Sequence, residues 1–363
     1  MAGDLSAVTV EPKTDAVWRA QDTTPAAIEA ALRALLTEAR TQSECYVPAR
    51  SLNLVCIVDH EYSGEVANRL RGVGRFGASR TVVCSVSPRR TTLDATATIA
   101  VPTETRAGMQ APMRETVVLE LGAQHLRHLE TIVDPLVVTD VPTVVWSPHD
   151  HPEALDALLG LAQVVLVDSV DEPEPADAVA RIRELMERSY VVDLAWLRTT
   201  PWRERVAAAF DPRKLRGDLR LISNVVVRHH PDSAIAGLLL VGWLASRLDW
   251  RLSRLSQDSA GTWTGRAHTR RQDVALRLQA DRTMPVRGLA GVELESANGR
   301  WLRLDRGAGG LRARYRGPRQ IDREWTIMGA SRGESGILGE GIRQALLRDG
   351  TYRPALLKAG ELL

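Results

Sequence analysis

The sequence is poor in lysine, cysteine and phenylalanine. It has three Cys and two Phe among 363 residues, and 44 of its 47 basic residues are arginines, because the lysines are only Lys13, Lys214 and Lys358. Three cysteines without a C-x-x-C spacing argue against a disulfide framework and for a reducing compartment. The arginine usage is explained either by a GC-rich genome or by a surface for phosphates or carboxylates, whose oxygens match the guanidinium fork.

Long apolar runs and several catalytic signatures are also missing. The longest uncharged apolar run, Ser233 to Ser246, is shorter than the ~20 residues that a membrane span needs, so it predicts a buried helix. The N-terminus has no signal-peptide pattern. No G-x-x-x-x-G-K-[ST] loop or G-x-S-x-G elbow occurs, which excludes a P-loop and leaves no recognisable nucleophile–base pair. The sequence therefore predicts a soluble cytoplasmic protein that binds rather than catalyses.

Charge is divided unevenly along the chain. Residues 1–180 carry 14 basic and 25 acidic side chains, a net charge of −11, whereas residues 181–363 carry 33 and 20, a net charge of +13. The total of +2 conceals this division. Such segregation indicates separate domains or a charged surface for a partner.

The apolar pattern predicts a different structural class for each half. Before residue 170, apolar strands such as Leu52 to Asp59 alternate with helices, one of which is predicted over Gln124 to Val138. This alternation predicts a layered α/β domain with a mixed sheet. Beyond Trp250 the apolar residues alternate with period two, and Asn298-Gly299 is a good hairpin turn. The second half is therefore predicted as an α+β domain with an antiparallel meander.

Proline and acidic residues between the halves predict where the domains meet, since such stretches favour loops. We predict a loose leader over residues 1–24, an α/β domain over 25–170, an acidic, proline-containing junction over 171–176 and a basic α+β domain over 177–363.

Two motifs resemble cofactor or metal sites but lack the necessary context. Gly72 to Gly77 spells G-x-G-x-x-G, yet a helix precedes it and a strand follows, the reverse of the dinucleotide-binding order. His149 and His151 lie in a proline-flanked loop, and His229-His230 ends a strand, without the three or four converging ligands that a metal needs. We therefore predict no cofactor, no metal and no catalytic residues.

The cysteines leave two interpretations open. Cys56 and Cys84 lie in two apolar strands, so their thiols could approach each other if the strands are neighbours. The favoured interpretation is that they are two small apolar residues of a core. Cys45 lies outside the strands and would be the more reactive thiol if it were exposed.

An arginine-rich segment extends from residue 301 to residue 323. Its arginines are Arg303, Arg306, Arg312, Arg314, Arg316, Arg319 and Arg323. In alternating strands this pattern is typical of a solvated face, while a patch for an acidic protein partner and a nucleic-acid surface are the alternatives. We predict no nucleic-acid partner, because no nucleic-acid-binding motif accompanies the charge.

Two clusters combine tryptophan with arginine, the residues that dominate interface hot spots. One follows an apolar strand near residue 193, and the other ends the apolar helix. Their members are Asp193, Trp196, Arg198, Trp202, Arg203, Trp243, Arg247 and Trp250. These residues are candidates either for binding a partner or for packing a domain corner.

Several stretches, taken together, resemble one known family. They are ARSLNLVCIV (49–58), the turn at 77–80, VPTVVWSP (141–148), QVVLVDS (163–169), VVDLAWLRTTPWRE (191–204) and GLLLVGWLASRLDW (237–250). In consistent order over about 200 residues, they resemble the glucose-6-phosphate dehydrogenase assembly protein (OpcA) family, of the actinobacterial type.

The resemblance implies a non-catalytic partner that promotes the assembly or activation of glucose-6-phosphate dehydrogenase, the enzyme that opens the oxidative pentose phosphate pathway. It supplies no catalytic residues, and relatives of the cyanobacterial type are linked to thiol redox control. The alternative is a sugar-phosphate- or nucleotide-binding enzyme or sensor that uses an arginine-lined cleft.

Overall fold

The chain divides into two compact units in a computed structural model, which describes residues 16–42, 51–72, 80–100, 114–149, 151–213, 215–307, 309–317, 322–328 and 333–363. Unit 1 takes its residues from Met1–Asn68 and Phe76–Val165. Unit 2 takes them from Arg69–Arg75 and Leu166–Leu363. The predicted boundaries at residues 170 and 176 stay predictions.

Unit 1 is an α/β unit. Its strands are β1 (Ala16–Ala20), β2 (Asn53–Asp59), β3 (Arg80–Val86), β4 (Asp94–Ala100), β5 (Arg114–Leu121), β6 (Thr143–Trp146) and β7 (Val164–Val167), the last continuing into unit 2. Its helices are α1 (Pro25–Gln42), α2 (Ser63–Gly72), whose last turn belongs to unit 2, α3 (Leu129–Val133) and α4 (Pro152–Leu158).

The sheet of unit 1 is mixed, as predicted. Its strands follow the order β1-β4-β5-β3-β2-β6-β7. β2 pairs in parallel with β3 and β6, and β3 pairs in parallel with β5, whereas β4 runs antiparallel to β5 and β1. The central strand β2 is almost wholly apolar and buried because both of its faces are covered, whereas β4 at the side of the sheet alternates buried and half-exposed residues.

Two predictions for unit 1 are corrected. Residues 16–20 lie in the predicted loose leader, but they form β1 and pair with β4. Exposed and partly buried side chains alternate along β1, and the partly buried ones are Ala16, Trp18 and Ala20. The single helix predicted over Gln124 to Val138 is divided into 3-10 turns on either side of α3. Pro135, which has no backbone N–H to continue the helix, contributes to this division.

Unit 2 combines helices with a larger sheet. Its helices are α5 (Pro175–Met186), α6 (Leu194–Arg198), α7 (Thr200–Phe210), α8 (Ala234–Leu248), α9 (Gly333–Leu347) and α10 (Tyr352–Glu361). Its strands are β8 (Tyr190–Asp193), β9 (Ile222–His229), β10 (Arg251–Leu252), β11 (Ser256–Gln257), β12 (Trp263–His268), β13 (Asp273–Ala280), β14 (Leu289–Ser296), β15 (Trp301–Gly307), β16 (Gly310–Arg316) and β17 (Asp322–Met328).

The sheet of unit 2 contains the predicted antiparallel meander. It follows the order β10-β12-β13-β9-β14-β15-β16-β17, with β11 on β12, and β14 to β17 are antiparallel neighbours. The predicted hairpin turn joins β14 to β15, where Gly299 has φ +82° and donates its N–H to Ser296 O. β9 and β13 pair in parallel, so this sheet is mixed as well.

Helix α8 is the most apolar helix of unit 2, and it packs closely on α10. Most of its residues are buried, as expected for the run from Ser233 to Ser246. Gly242 faces α10 so closely that a Cβ there would lie 2.8 Å from Ala359 N and would overlap the carbonyl oxygen of Ala355. A side chain larger than hydrogen is therefore excluded at Gly242 unless α10 moves.

No helix in the described parts of the chain is long and apolar enough to cross a membrane.

Candidate functional site

Asp193 is the centre of a buried polar cluster in unit 2. It is the last residue of β8, and its Oδ1 caps α6 by accepting the N–H of Ala195 at 2.9 Å. The same carboxylate accepts the N–H and Oγ–H of Ser169, at 3.1 and 2.7 Å, and the phenolic O–H of Tyr352 at 2.8 Å. With four donors and no exposed surface, Asp193 joins β8, α6, α10 and the chain after β7.

Burial raises the pKa of Asp193 to about 6, with a smaller contribution from the negative charge of Asp168. The donors from Ser169 and Tyr352 lower the pKa and only partly offset the burial. An unfolded aspartate has a pKa of roughly 4, so the folded chain binds more protons than the unfolded chain between about pH 4 and pH 6.

We expect the carboxyl carbon of Asp193 to titrate near pH 6 in a ¹³C NMR experiment. Because its folded pKa is raised, its contribution to the free energy of unfolding is largest at low pH, declines as the pH rises towards 6 and is constant above that. Asp193→Asn removes the titrating group and serves as the reference for assigning the resonance and this slope. A midpoint near pH 4 would contradict the burial effect.

Arg198, the last residue of α6, bridges two carboxylates. It donates to Asp168 at 2.7 Å and, through Nη2, to Glu334 Oε2 at 2.7 Å. Burial alone would lower the pKa of Arg198, but the two carboxylates outweigh it and raise the pKa, so the guanidinium stays charged. These pairs fix α6 against the start of α9 and the end of β7. Arg287 is held separately by Asp171, at 2.7 Å.

Trp196 and Arg203 form a stacked pair beside this cluster. The guanidinium carbon of Arg203 lies 3.4 Å from the centroid of the Trp196 ring, within the range of a cation–π contact. Trp196 Nε1 donates to Asp349 Oδ2 at 2.9 Å, and Arg203 Nε donates to Thr199 Oγ1 at 3.0 Å. Burial lowers the pKa of Arg203 to about 10. Both side chains are buried, and both are hydrogen-bonded to residues of unit 2.

The structure separates the eight predicted site residues into interior and surface groups. Asp193, Trp196, Trp202, Arg203 and Trp250 are buried, with Trp202 and Trp250 only 2% and 3% exposed. Arg198 and Trp243 are partly buried, and Arg247 is exposed. The buried members have the environment of a packing corner, and whether any of the eight contacts a partner stays a prediction.

Sequence reasoning missed most partners of the cluster. They are Ser169 and Tyr352 for Asp193, Asp349 for Trp196, and Asp168 and Glu334 for Arg198. The sequence offers only a weak indication that these residues meet. Asp168 and Ser169 directly follow the apolar strand β7, and Asp193 is likewise the last residue of an apolar strand, β8. Nothing local marks Tyr352, because it lies 159 positions from Asp193 in the sequence.

A cavity of about 190 Å³ opens beside α6 and α9 in unit 2; we refer to it as the α6–α9 cavity. Its apolar lining includes Leu197, Trp202, Val286 and Ile337, and its guanidinium groups belong to Arg198, Arg287 and Arg306. Apolar side chains with a few charged groups can hold an organic anion or an anchoring side chain of a protein.

The cysteines and histidines give no alternative site in the described part of the chain. Cys56 and Cys84 are free and buried, and burial raises the pKa of both thiols. β2 and β3 are neighbours, but Cys56 pairs with Val83 and Cys84 pairs with Ile57, so the two thiols project from opposite faces of the sheet. No group of three or more His, Cys, Asp or Glu among the described residues could hold a metal ion.

Other predicted motifs are only partly described. Cys45, Arg319, Asp150 (which lies between His149 and His151) and most of the G-x-G-x-x-G stretch lie outside the described residues. In the arginine-rich segment, Arg303 binds Glu293 through Nη2 at 2.6 Å and Arg314 binds Asp305 at 2.8 Å. Such cross-strand ion pairs agree with the interpretation of this segment as a solvated face.

Comparisons with solved structures give only remote likenesses. A WlbA dehydrogenase from Thermus thermophilus, in complex with NAD and UDP-GlcNAcA, is 14% identical, with a TM-score of 0.44 over 85% of this chain and 94% of that one. An apo scyllo-inositol dehydrogenase from Lactobacillus casei is 10% identical, with a TM-score of 0.45 over 86% and 94% of the two chains. Likenesses at this level carry no argument about function.

Curated relatives are more similar in sequence. A protein from Nostoc punctiforme, named "Putative OxPP cycle protein OpcA", is 30% identical over 163 residues, which are 44% of this chain and 35% of the relative. A protein of the same name from Synechococcus elongatus is 28% identical over 141 residues, 38% of this chain and 32% of the relative. The chain thus spans about a third of the length of the curated relatives it matches.

Two family models match consecutive parts of the chain. The model of the glucose-6-phosphate dehydrogenase subunit N-terminal domain matches residues 73–184, and that of the C-terminal domain matches residues 189–356. Together they account for more than half of the chain, in the order that the family has. The chain therefore belongs to the glucose-6-phosphate dehydrogenase assembly protein (OpcA) family.

Proposed function

We propose that this protein is a non-catalytic assembly factor that binds glucose-6-phosphate dehydrogenase in the cytoplasm and promotes its active oligomer, in the oxidative pentose phosphate pathway. The observation that carries the proposal is the match of both family domains, each described as part of a subunit of that dehydrogenase. The name of the curated relatives, putative OxPP cycle proteins, supports the same pathway.

The geometry of unit 2 supports binding rather than chemistry. Asp193 is enclosed by four protein donors, and Arg198 is held between two carboxylates, so these groups stabilise the fold. The surplus of basic residues over 181–363 favours a partner surface of opposite charge.

The proposal predicts a change in both the rate and the mass of the dehydrogenase. Adding the purified chain to the dehydrogenase from the same organism is expected to raise the rate of NADPH formation, followed by absorbance, and to give a heavier species in light scattering. The chain alone, given glucose 6-phosphate and NADP, is expected to form no NADPH. An unchanged rate and mass, matching those with the heat-denatured chain as control, would refute the assembly function.

The second candidate, a sugar-phosphate- or nucleotide-binding protein, has one observation in its favour, the three arginines that line the α6–α9 cavity. Two of them, Arg198 and Arg287, are already paired with carboxylates of the protein. Calorimetry with glucose 6-phosphate, 6-phosphogluconolactone and NADP separates the candidates, because saturable heat with any of these would favour the second one.

A further inference from the structure

The α6–α9 cavity combines an apolar lining with one guanidinium that has no carboxylate partner in the described parts of the chain. Arg198 binds Asp168 and Glu334, and Arg287 binds Asp171. Arg306 instead donates its Nε–H to the carbonyl oxygen of Leu289 at 3.1 Å. Among the three arginines of the cavity, Arg306 is therefore the one whose charge the described residues leave uncompensated.

The surroundings of Arg306 favour an anion from outside the chain. The side chain of Arg306 is exposed, but its Nε–H is directed inward to the carbonyl oxygen of Leu289, and partial burial of the guanidinium lowers the pKa of Arg306. A carboxylate placed against such a cation recovers charge-assisted hydrogen bonds with the terminal N–H groups. The cavity lining is largely apolar, so a ligand gains most by burying a hydrocarbon or aromatic group there beside its anionic group.

The size of the cavity favours a protein anchor over a small ligand. Its volume of about 190 Å³ lies below the roughly 300–1,000 Å³ that is typical of small-molecule pockets. Val286, which lines it, is 50% exposed and extends the apolar surface towards solvent. Trp202 and the arginines give the cavity the composition of an interface hot spot, in which one inserted side chain contributes much of the binding energy.

We propose that the α6–α9 cavity is the docking site of the partner, and that it takes an aliphatic or aromatic side chain that lies next to a carboxylate on the partner's surface. The apolar group contacts Trp202 and Val286, and the carboxylate pairs with Arg306. This assignment rests on the proposed function, with glucose-6-phosphate dehydrogenase as the partner.

Two substitutions test the two parts of the contact. Arg306→Gln removes the cation, and Val286→Asp places a negative charge on the apolar surface; both residues are exposed, so the fold is expected to persist. Binding of the dehydrogenase is measured by biolayer interferometry at low and high salt.

We expect each variant to bind the dehydrogenase roughly tenfold more weakly than the wild type does. The affinity of Arg306→Gln is also expected to depend less on salt, because salt screens the charge pair that this variant lacks. Arg277→Gln, an exposed arginine on β13 that does not line this cavity, is the matched control and is expected to bind like the wild type.

The outcomes distinguish the docking site from the function itself. If the wild type binds the dehydrogenase and both variants bind equally well, the docking assignment is overturned while the proposed function stands. If Val286→Asp alone weakens binding, the carboxylate half of the assignment is wrong. If the wild type does not bind at all, the proposed function fails, and the docking assignment with it.

Discussion

Replacing Asp193 with alanine is expected to lower the free energy of unfolding by about 3–5 kcal/mol, because several buried donors lose their acceptor at once and each unsatisfied donor costs about 1–3 kcal/mol. The substitution leaves the N–H groups of Ser169 and Ala195 and the hydroxyl of Tyr352 without their acceptor in a site that water does not reach. It also removes the cap of α6. Urea denaturation followed by tryptophan fluorescence measures the change.

Tyr352→Phe is the matched control for this prediction. It removes one of the four donors but leaves Asp193 bound to Ser169 and Ala195. We expect a loss of only about 1 kcal/mol, as for a single hydrogen bond. Equal losses in the two variants would show that the tyrosine hydroxyl, rather than the carboxylate, organises the cluster.

Gly242→Ala is expected to destabilise unit 2 by roughly 3 kcal/mol, at the upper end of the cost of overpacking a core. The added methyl group would meet the backbone of Ala355 and Ala359, which cannot turn aside as a flexible side chain can. Helix α10 must therefore shift, and with it Tyr352, which begins α10 and donates to Asp193. Denaturation gives the magnitude, and faster hydrogen exchange over residues 352–361 reports the loosened helix.

Gly237→Ala, one and a half turns earlier in α8, is the control. Its methyl group would lie 3.0 Å from the end of the Leu278 side chain, which can move by a few tenths of an ångström. The higher helix propensity of alanine, worth roughly 1 kcal/mol, offsets the remaining contact. A Gly242→Ala variant that is as stable as Gly237→Ala would contradict the close packing of α8 on α10.

The fold elements were predictable where burial alone leaves a pattern in the sequence. β2 is an almost unbroken apolar run because a covered parallel strand has no solvent-facing side. β15 alternates buried and half-exposed residues because one of its faces is partly exposed to solvent. β1 was missed because only five residues with half-exposed side chains form it, and its stability comes from pairing with β4. Short edge strands leave little signal of their own.

The candidate site was predictable only in its local part. The stretch that contains Asp193, Trp196 and Arg198 has an unusual composition, which the sequence shows directly. The sequence does not show that Trp202 and Trp250 are buried, nor that Arg306 reaches the same cavity as Arg198, because these arrangements depend on contacts between residues about 100 positions apart. The amino-acid composition therefore indicated which stretch of the chain to look at. Which of its side chains are buried, and which residues they bind, depends on the tertiary packing.

The amino-acid sequence by itself determined the mixed α/β character, the antiparallel meander, the division of charge and the family, since periodicity, turn residues and motif order are local properties. Only the tertiary structure decided that Cys56 and Cys84 face opposite sides of their sheet, that Asp193 is a buried acceptor of four hydrogen bonds, and that Arg306 differs from the other arginines of its cavity. The physical reason is that register, desolvation and ion pairing are set by which distant residues come into contact, and a linear pattern does not record that.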